Sequence, residues 1–561
     1  MGVRMETNNI IINQVGYLPE QRKIAFFKRG DIGKAFSVIN VENGKVAYIG
    51  KILSLEYSEI ADEEVAIGDF SKIKEVGEYK IINSRRESSY SFTIGTDIYH
   101  NVLKDSVRFF YLQRCGEMIE EEYGSKWAHP ACHIGLATVY GSTHKIDVTG
   151  GWHDAGDYGR YILATAKAVA DLFLAYEANP EAFQIDFNVP RREKKMSYLL
   201  EEIKGQLVWM LKMQDPISGG VHHKVTCAHF PGYAVMPQDE VKELIVCPIS
   251  TMATGVFAAV MAMAYEHYNK IDSVFANKCL KAAEMAWGYL ENTPEGGFKN
   301  PIDITTGEYG GDSDLDERYW AAAQLFKATG KEKYAKIATE YATMEALSPT
   351  DLEHLEDGDM LHQSKKKRLE FSYGWKGTGA YGDKAYLYSK DGDEAVKEII
   401  RRRVIARADQ IIFAATQDGY RIYPVSQIYV WGSNMYMLML ALFLKDAYEI
   451  DAKEVYLEQA HRYIDYCFGA NPLSLSYVTG YGKRYAQHPH HRPSIARGEA
   501  IPGMLVGGPN EWLADPVAQK RLQDVPAAKC YIDDYESFGT NEVDIYWNSM
   551  LVCALVRLNM V

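Results

Sequence analysis

The stretch STMATGVFAAVMAMAYEHY, residues 250–268, carries small or apolar side chains on nearly every face of a helix. A surface helix shows one apolar stripe, so a helix that is apolar most of the way round must be buried among others. Helical periodicity recurs on both sides of it. One helix is predicted from about residue 98 to the glycine at 116. Others follow over about 160–177, 194–213, 250–268, 272–291, 314–328, 332–346, 377–389, 395–416, 432–448, 452–468 and 541–558, twelve in all. Inner helices alternating with outer ones, as in an (α/α)6 barrel, would bury such segments.

Residues 8–94 read differently. IIINQVGYL, KIAFFKRG, AFSVINVENGKVAYIG, GEYKIINS and SYSFTIG are short alternating or apolar runs broken by Gly, Asn and Asp. This is the pattern of a small antiparallel β-sandwich. The expected organisation is a β-sandwich over residues 1–95 followed by a helical domain over 96–561.

Of the 561 residues, 47% are hydrophobic and 24% charged, an ordinary globular balance. The net charge of −14 disfavours nucleic acid as a partner, because phosphate-binding surfaces cluster Lys and Arg. The one dense basic run, KKKR at 365–368, reads as a solvated loop. MGVRMETNNIIINQVGY at the start has no apolar core of leader length, and no stretch approaches a membrane span. The expectation is a cytoplasmic protein, or a secreted one if a leader was removed. Eight cysteines in so long a chain are not a disulfide scaffold. The 39 Tyr and 9 Trp suit a carbohydrate cleft, although aromatics also fill cores.

The long segments between helices, 126–159, 214–249, 292–313 and 469–540, are rich in Gly, Pro, Asp, His and aromatics. Loops of that length in a compact domain are usually functional. GGWHDAGDYGRY (150–161) sets Asp154 and Asp157 among Trp152, Tyr158 and Tyr161. Hydrolysis of a glycoside by inversion needs one carboxylate to deprotonate water and one carboxylic acid to protonate the leaving oxygen. Two carboxylates near one water can divide the base work, one taking the proton and the other orienting the water. A calcium loop or a helix N-cap is the alternative reading. Near the C-terminus, Glu542 stands at the start of an apolar helix, as an acid partner or as a first-turn residue on the helix dipole.

Three ordered motifs and the β-domain together resemble glycoside hydrolase family 9, the inverting cellulase family with an (α/α)6 barrel. GGWHDAGDYGRY resembles its base loop, SYVTGYGKRYAQHPHHRPS (476–494) its His/Arg signature and YIDDYESFGTNEVDIYWNS (531–549) its acid signature. INQVGYLP (12–19) resembles the opening of the immunoglobulin-like domain that precedes the barrel in one branch. The resemblance implies Asp157 as general base, Asp154 as its water-holding partner and Glu542 as general acid. It implies substrate contacts from His490, Arg492 and His491, with Asp533, Tyr535 and Trp152 supporting the cleft. Base and acid carboxyls should then lie roughly 6.5–9.5 Å apart. One departure is Asp544, where a small residue is expected two positions after the acid.

Two metal sites are expected. TGEYGGDSDLDERYWAAA (306–323) concentrates hard oxygen ligands suited to calcium, or forms an acidic surface loop. It resembles the family's calcium loop, with Asp316 and Glu317 matching best and Glu308 and Asp312 as additions. In RCGEMIEEEYGSKWAHPACH (114–133), Cys115, Cys132 and His133 would hold a structural zinc with one more ligand. Relatives supply two Cys–His pairs, whereas Gly116 follows the first cysteine here. His129 is the expected fourth ligand, with His144 and His153 as alternatives and buried free thiols as the other reading.

The implied partner is a β-1,4-linked glucan, as cellulose-derived or mixed-linkage oligosaccharide. An exo-β-glucosaminidase acting on chitosan oligosaccharides is the alternative. It would need an acidic contact for an amino group, and Asp239 or Glu240 in HHKVTCAHFPGYAVMPQDE (222–240) would provide one. A non-catalytic sugar-binding protein and an (α/α)6 epimerase or lyase are the readings from other classes. No organic cofactor is expected, and the sequence does not state the oligomeric state.

Overall fold

The computed structural model describes residues 8–28, 32–193, 196–344, 369–423 and 425–561. The basic run at 365–368 and the last residues of the 332–346 stretch lie outside them.

Eight strands form the N-terminal β-domain: β1 (Ile10–Ile11), β2 (Gly16–Tyr17), β3 (Ile24–Lys28), β4 (Ala35–Asn40), β5 (Val46–Ser58), β6 (Glu63–Asp69), β7 (Gly77–Ile82) and β8 (Phe92–Ile94). Their order is β1-β3-β6-β5-β4-β7-β8-β2. The 13-residue β5 serves both layers. Its first half pairs with β4 and its second half with β6, with a register shift between Ile52 and Leu55. The alternation read in the sequence supplies the core, where Ile10, Phe27, Phe36, Val38, Tyr79, Ile81 and Phe92 meet. Full burial of one such side chain is worth about 1.5–3 kcal/mol. Gly16 has φ +146°, and a Cβ there would stand 2.0 Å from the Thr93 carbonyl oxygen. Only glycine lets β2 lie this close against β8.

Each of the twelve predicted helical stretches has a counterpart among the described residues. The chain forms two compact units. The first holds the residues up to Phe109, Ala178–Phe187 and Val404–Val561, and the second holds Phe110–Glu177 and Asn188–Arg403.

In the second unit, the helix Thr251–Tyr268 is buried from Thr251 through Ala264. Ser250 caps it by accepting from the amide of Ala253. It packs against Ser273–Glu291 and Leu315–Thr329. Ser273–Glu291 is buried only along Phe275, Ala276, Cys279, Ala282, Ala283, Ala286, Trp287 and Leu290, the spacing of one helix face. Leu315–Thr329 is buried nearly all round, and Glu332–Ala342, packed on it, only at Tyr334, Ala338 and Ala342. Fully and singly buried helices therefore alternate as the composition demands.

In the first unit, Ser433–Ile450 packs against Glu454–Cys467 and Ile545–Arg557. The β-domain is tied to this unit's helical segments by buried side chains. Asn13 Nδ2 and Gln21 Nε2 both donate to Asp465 Oδ1, at 2.8 and 3.0 Å. Gln14 Oε1 accepts from the amides of Lys483 and Arg484 at 3.0 and 2.9 Å, inside the His/Arg signature.

Candidate active site

The base-side loop belongs to the second unit. Asp157 Oδ2 accepts from the amide of Gly159 at 2.9 Å and from the hydroxyl of Tyr161 at 3.1 Å. Asp154 Oδ2 accepts from the hydroxyl of Tyr309 at 2.6 Å. The rings of Tyr161 and Tyr309 lie 4.8 Å apart. The loop closes on itself through the Asp154 amide, which donates to the Gly159 carbonyl at 3.0 Å. Both carboxylates are almost fully buried and held by tyrosine hydroxyls.

Trp152 corrects the sequence reading. It is fully buried rather than offered to a sugar. Its indole Nε1 donates to Glu202 Oε1 at 2.9 Å and its ring packs 4.8 Å from Phe110. Glu202 is also gripped by Arg114, so the tryptophan anchors the loop to the core. Tyr158 likewise points inward, donating to the Val235 carbonyl at 2.6 Å.

The expected metal site is gathered with a different fourth member. The ligand atoms of Cys115, Cys132, His133 and His153 lie within 4.8 Å of one another, all buried. His129 falls outside the group, with its Nδ1 2.7 Å from the Pro130 carbonyl. Two sulfurs and two imidazole nitrogens fit tetrahedral zinc. His133 Nδ1 is 3.7 Å from Cys115 Sγ and His153 Nε2 3.6 Å from Cys132 Sγ. Burial alone would raise the Cys115 thiol, but a hydrogen bond with Cys132 and the charges of Arg160 and the histidines bring it well down. Glu240 Oε2 faces His133 Nε2 at 3.2 Å, the carboxylate–histidine arrangement common around metals. Glu240 therefore braces His133.

The acidic segment is not gathered in this way. Glu308 and Asp312 face Lys299 Nζ at 3.8 and 3.7 Å. Asp316 accepts from the Glu370 amide at 2.9 Å. Glu317 is buried, and its Oε1 has no hydrogen-bond partner. Burial and the neighbouring Asp316 hold the Glu317 carboxyl well above its ordinary value. Among the described residues, the Cys/His set is the one group of three or more His, Cys, Asp or Glu collected within 4.8 Å.

The acid-side segment belongs to the first unit. Glu542 Oε2 accepts from the indole Nε1 of Trp431 at 3.1 Å. Its backbone is pinned by the Gly507 amide, which donates to the Glu542 carbonyl at 2.8 Å. His490 lies beside it through a parallel bridge. His490 Nδ1 is 2.6 Å from the Tyr535 carbonyl oxygen, which can only accept, so this nitrogen carries the proton. Burial lowers the imidazole to about 4, which keeps it neutral near neutral pH. His491 Nδ1 meets Ser494 Oγ at 2.8 Å, and Arg492 opens the short helix Arg492–Arg497. Asp533 accepts from the amides of Gln487 and His488 at 2.9 and 2.8 Å, joining the two signatures. Tyr535 is half-exposed. Asp544 is buried and N-caps the helix Ile545–Arg557 by accepting from the Tyr546 amide at 2.9 Å. Its charge serves the helix start.

Sequence reading does not single out Tyr309 or Trp431 as site residues. Tyr309 lies within the stretch read for metal ligands. Trp431 sits just before the helix Ser433–Ile450, where nothing local marks a contact 111 residues away.

Comparisons with known proteins identify the family. Residues 99–555 match the model of Glycosyl hydrolase family 9, and residues 5–88 that of the Cellulase N-terminal ig-like domain. A cellodextrinase from Butyrivibrio fibrisolvens is 35% identical over 556 residues, covering 97% of this chain and 98% of its own. The structure of AaCel9A in complex with cellobiose-like isofagomine superposes with a TM-score of 0.89 at 33% identity, over 99% of this chain and 100% of that one. A Zn-binding triple mutant of the family 9 endoglucanase J30 superposes with a TM-score of 0.88 at 31% identity, over 96% and 99%. Matched from its β-domain through its last helix, the chain belongs to glycosyl hydrolase family 9.

Proposed function

We propose that this chain is an inverting β-1,4-glucanase of the cellodextrinase or endoglucanase kind. The observation that carries the reading is the pair of buried carboxylates, each held through one oxygen by a tyrosine hydroxyl. The Gly159 amide and the Tyr161 hydroxyl both bond Asp157 Oδ2, so Oδ1 is the oxygen that takes a proton from water. Asp154 orients that water. Glu542, steadied by Trp431, gives its proton to the leaving oxygen. Positioned acid and base each contribute on the order of 10²–10⁴-fold. His490, Arg492, His491, Asp533 and Tyr535 bind and frame the sugar. Division of the chain at 95/96 is supported by the last sandwich strand ending at Ile94 and the first long helix starting at His100.

The substrate class is short β-1,4-glucan, supported by the end-to-end likeness to a cellodextrinase. The amino-sugar alternative loses support, because Glu240 is engaged by His133. We place the enzyme in the cytoplasm. None of the eight cysteines is in a disulfide, which suits a reducing compartment. No helix among the described residues is long and apolar enough to cross a membrane.

Zinc is the ion that the Cys115–Cys132–His133–His153 donor set fits, and it braces the loop leading into Asp154. Calcium is assigned to Asp316 and Glu317, supported by the unpartnered Glu317 Oε1 at the start of the helix Leu315–Thr329. Isothermal titration of EDTA-treated protein with calcium tests this, and absence of binding overturns it.

The reading as a whole is tested by ¹H NMR of the first products from cellotetraose, with a chitosan tetramer in parallel. The α-anomer of the glucan product is expected first. An initial β-anomer overturns inversion, turnover of chitosan alone moves the substrate to amino sugars, and silence on both favours a sugar-binding protein.

A further inference from the structure

We infer that Lys224 is a positioning residue for the base-side carboxylates, acting through a buried clamp on the loop 306–309. The inference rests on the catalytic reading above.

Lys224 is fully buried in a short strand, directly opposite Tyr161 in the antiparallel register. Its Nζ donates to the Gly307 carbonyl at 2.5 Å and to Thr306 Oγ1 at 3.1 Å, with the Thr306 carbonyl at 3.4 Å. The same ammonium lies over the Tyr161 ring, 5.4 Å from its centroid. Tyr161 donates to Asp157, and the loop that Lys224 grips carries Tyr309, which donates to Asp154. One buried cation thus joins the two tyrosines that hold the two carboxylates.

The contact is too close to be incidental. A Cβ on Gly307 would sit 3.2 Å from the Tyr161 hydroxyl oxygen and 3.3–3.4 Å from its ring carbons. The neighbouring residue reinforces the grip. His223 Nε2 is 3.0 Å from the Glu308 carbonyl, and its ring stacks 3.6 Å from Phe298. An ammonium removed from water needs oxygen partners, and here they are loop oxygens without full charge. Asp157 adds to its stabilisation at longer range. Burial lowers the ammonium to about 8, against the raising influence of its neighbours, so it stays largely protonated at neutral pH and tethers the loop that carries Tyr309.

The test is steady-state kinetics on cellotetraose with K224M, K224R, Y309F and the double variant K224M/Y309F, alongside wild type and D157N. K224M should lower kcat at least about tenfold with KM within about twofold, because small displacements of reacting groups are costly. K224R should recover part of the loss. The double variant should be no more than about threefold worse than the poorer single variant, since residues acting through one path are not additive. A K224M enzyme with unchanged kcat, or single effects that multiply in the double variant, overturns the inference. If K224M does not fold, T306V takes its place in the cycle with the same outcomes. An inactive wild type or an active D157N would instead overturn the catalytic reading itself.

Discussion

The indole of Trp431 donates to the carboxyl of Glu542 at 3.1 Å, so the proposed acid is held by a side chain 111 residues away. Trp431 also packs against Phe538, with ring centroids 5.4 Å apart and the rings tilted by 36°, which restrains the donor's direction. The variant W431F keeps a ring but loses the donor. Its kcat on cellotetraose should fall by about tenfold, a fraction of the acid's whole contribution. An aryl glycoside with a good leaving group should be affected less. Equal losses on both substrates would show that Trp431 acts on binding instead.

The base side should separate into unequal parts. D157N should lower kcat by about 10²–10⁴-fold on any substrate, because attack by water is needed whatever the leaving group. D154N should cost less, since it orients the water without taking the proton. E542Q should cost most on natural oligosaccharides and least on activated aryl glycosides. Rates from a reducing-end assay and an aryl-release assay, run on the same preparations, check all three.

The metal expectation concerns both composition and stability. Elemental analysis of protein purified without added metal should give one zinc per chain. C132S and H153A should each lose it, and H129A should retain it. Loss of a structural metal removes folding free energy, so the melting temperature should fall by at least about 5 °C. A zinc-loaded H153A would return the fourth position to another residue.

Asp465 predicts a pH dependence of stability. Burial pushes its carboxyl up to about 7, against the helping bonds from Asn13 and Gln21 and the charge of Arg462. The folded state therefore binds a proton that the unfolded chain releases at an ordinary carboxylate value, so this group favours folding in acid. Its contribution is lost as pH rises toward 7. D465N keeps an oxygen for both amide donors and does not titrate. Melting curves between about pH 4.5 and 8 should fall more steeply with pH for wild type than for D465N. Parallel curves would exclude Asp465 as a source of that slope.

Much of this was legible in the chain because the governing signals are local. The all-round apolar pattern of 250–268 and the one-sided pattern of 273–291 depend only on helical spacing, and the strands of the β-domain only on alternation. The base loop and the acid signature were legible as residue types in order. What failed depends on where distant segments arrive. Trp152 in a glycine-rich loop looks like a sugar platform until Glu202 and Phe110 close over it. The choice of His153 over His129 turns on how the loop returns to Cys132, which spacing does not state. Likewise spacing does not state that Glu308 and Asp312, read as calcium ligands, each face Lys299.

The seating of Asn13 and Gln14 bears on the order of synthesis. Their partners lie 452 to 470 residues further along the chain. At about 5–20 residues per second, a nascent sandwich emerges and waits roughly 20 to 80 seconds before Asp465 and the 483–484 amides leave the ribosome. During that interval the bonds from Asn13 and Gln21 to Asp465, and those of Gln14, are unmade. Asn13 already has Tyr99 and local amides as partners, but the bonds to Asp465 and from the 483–484 amides wait for a segment that lies close in sequence to His490 and Glu542. Closure of the β-domain contact and completion of the acid side are thus one late event in the life of each molecule, and a chain that stops short attains neither.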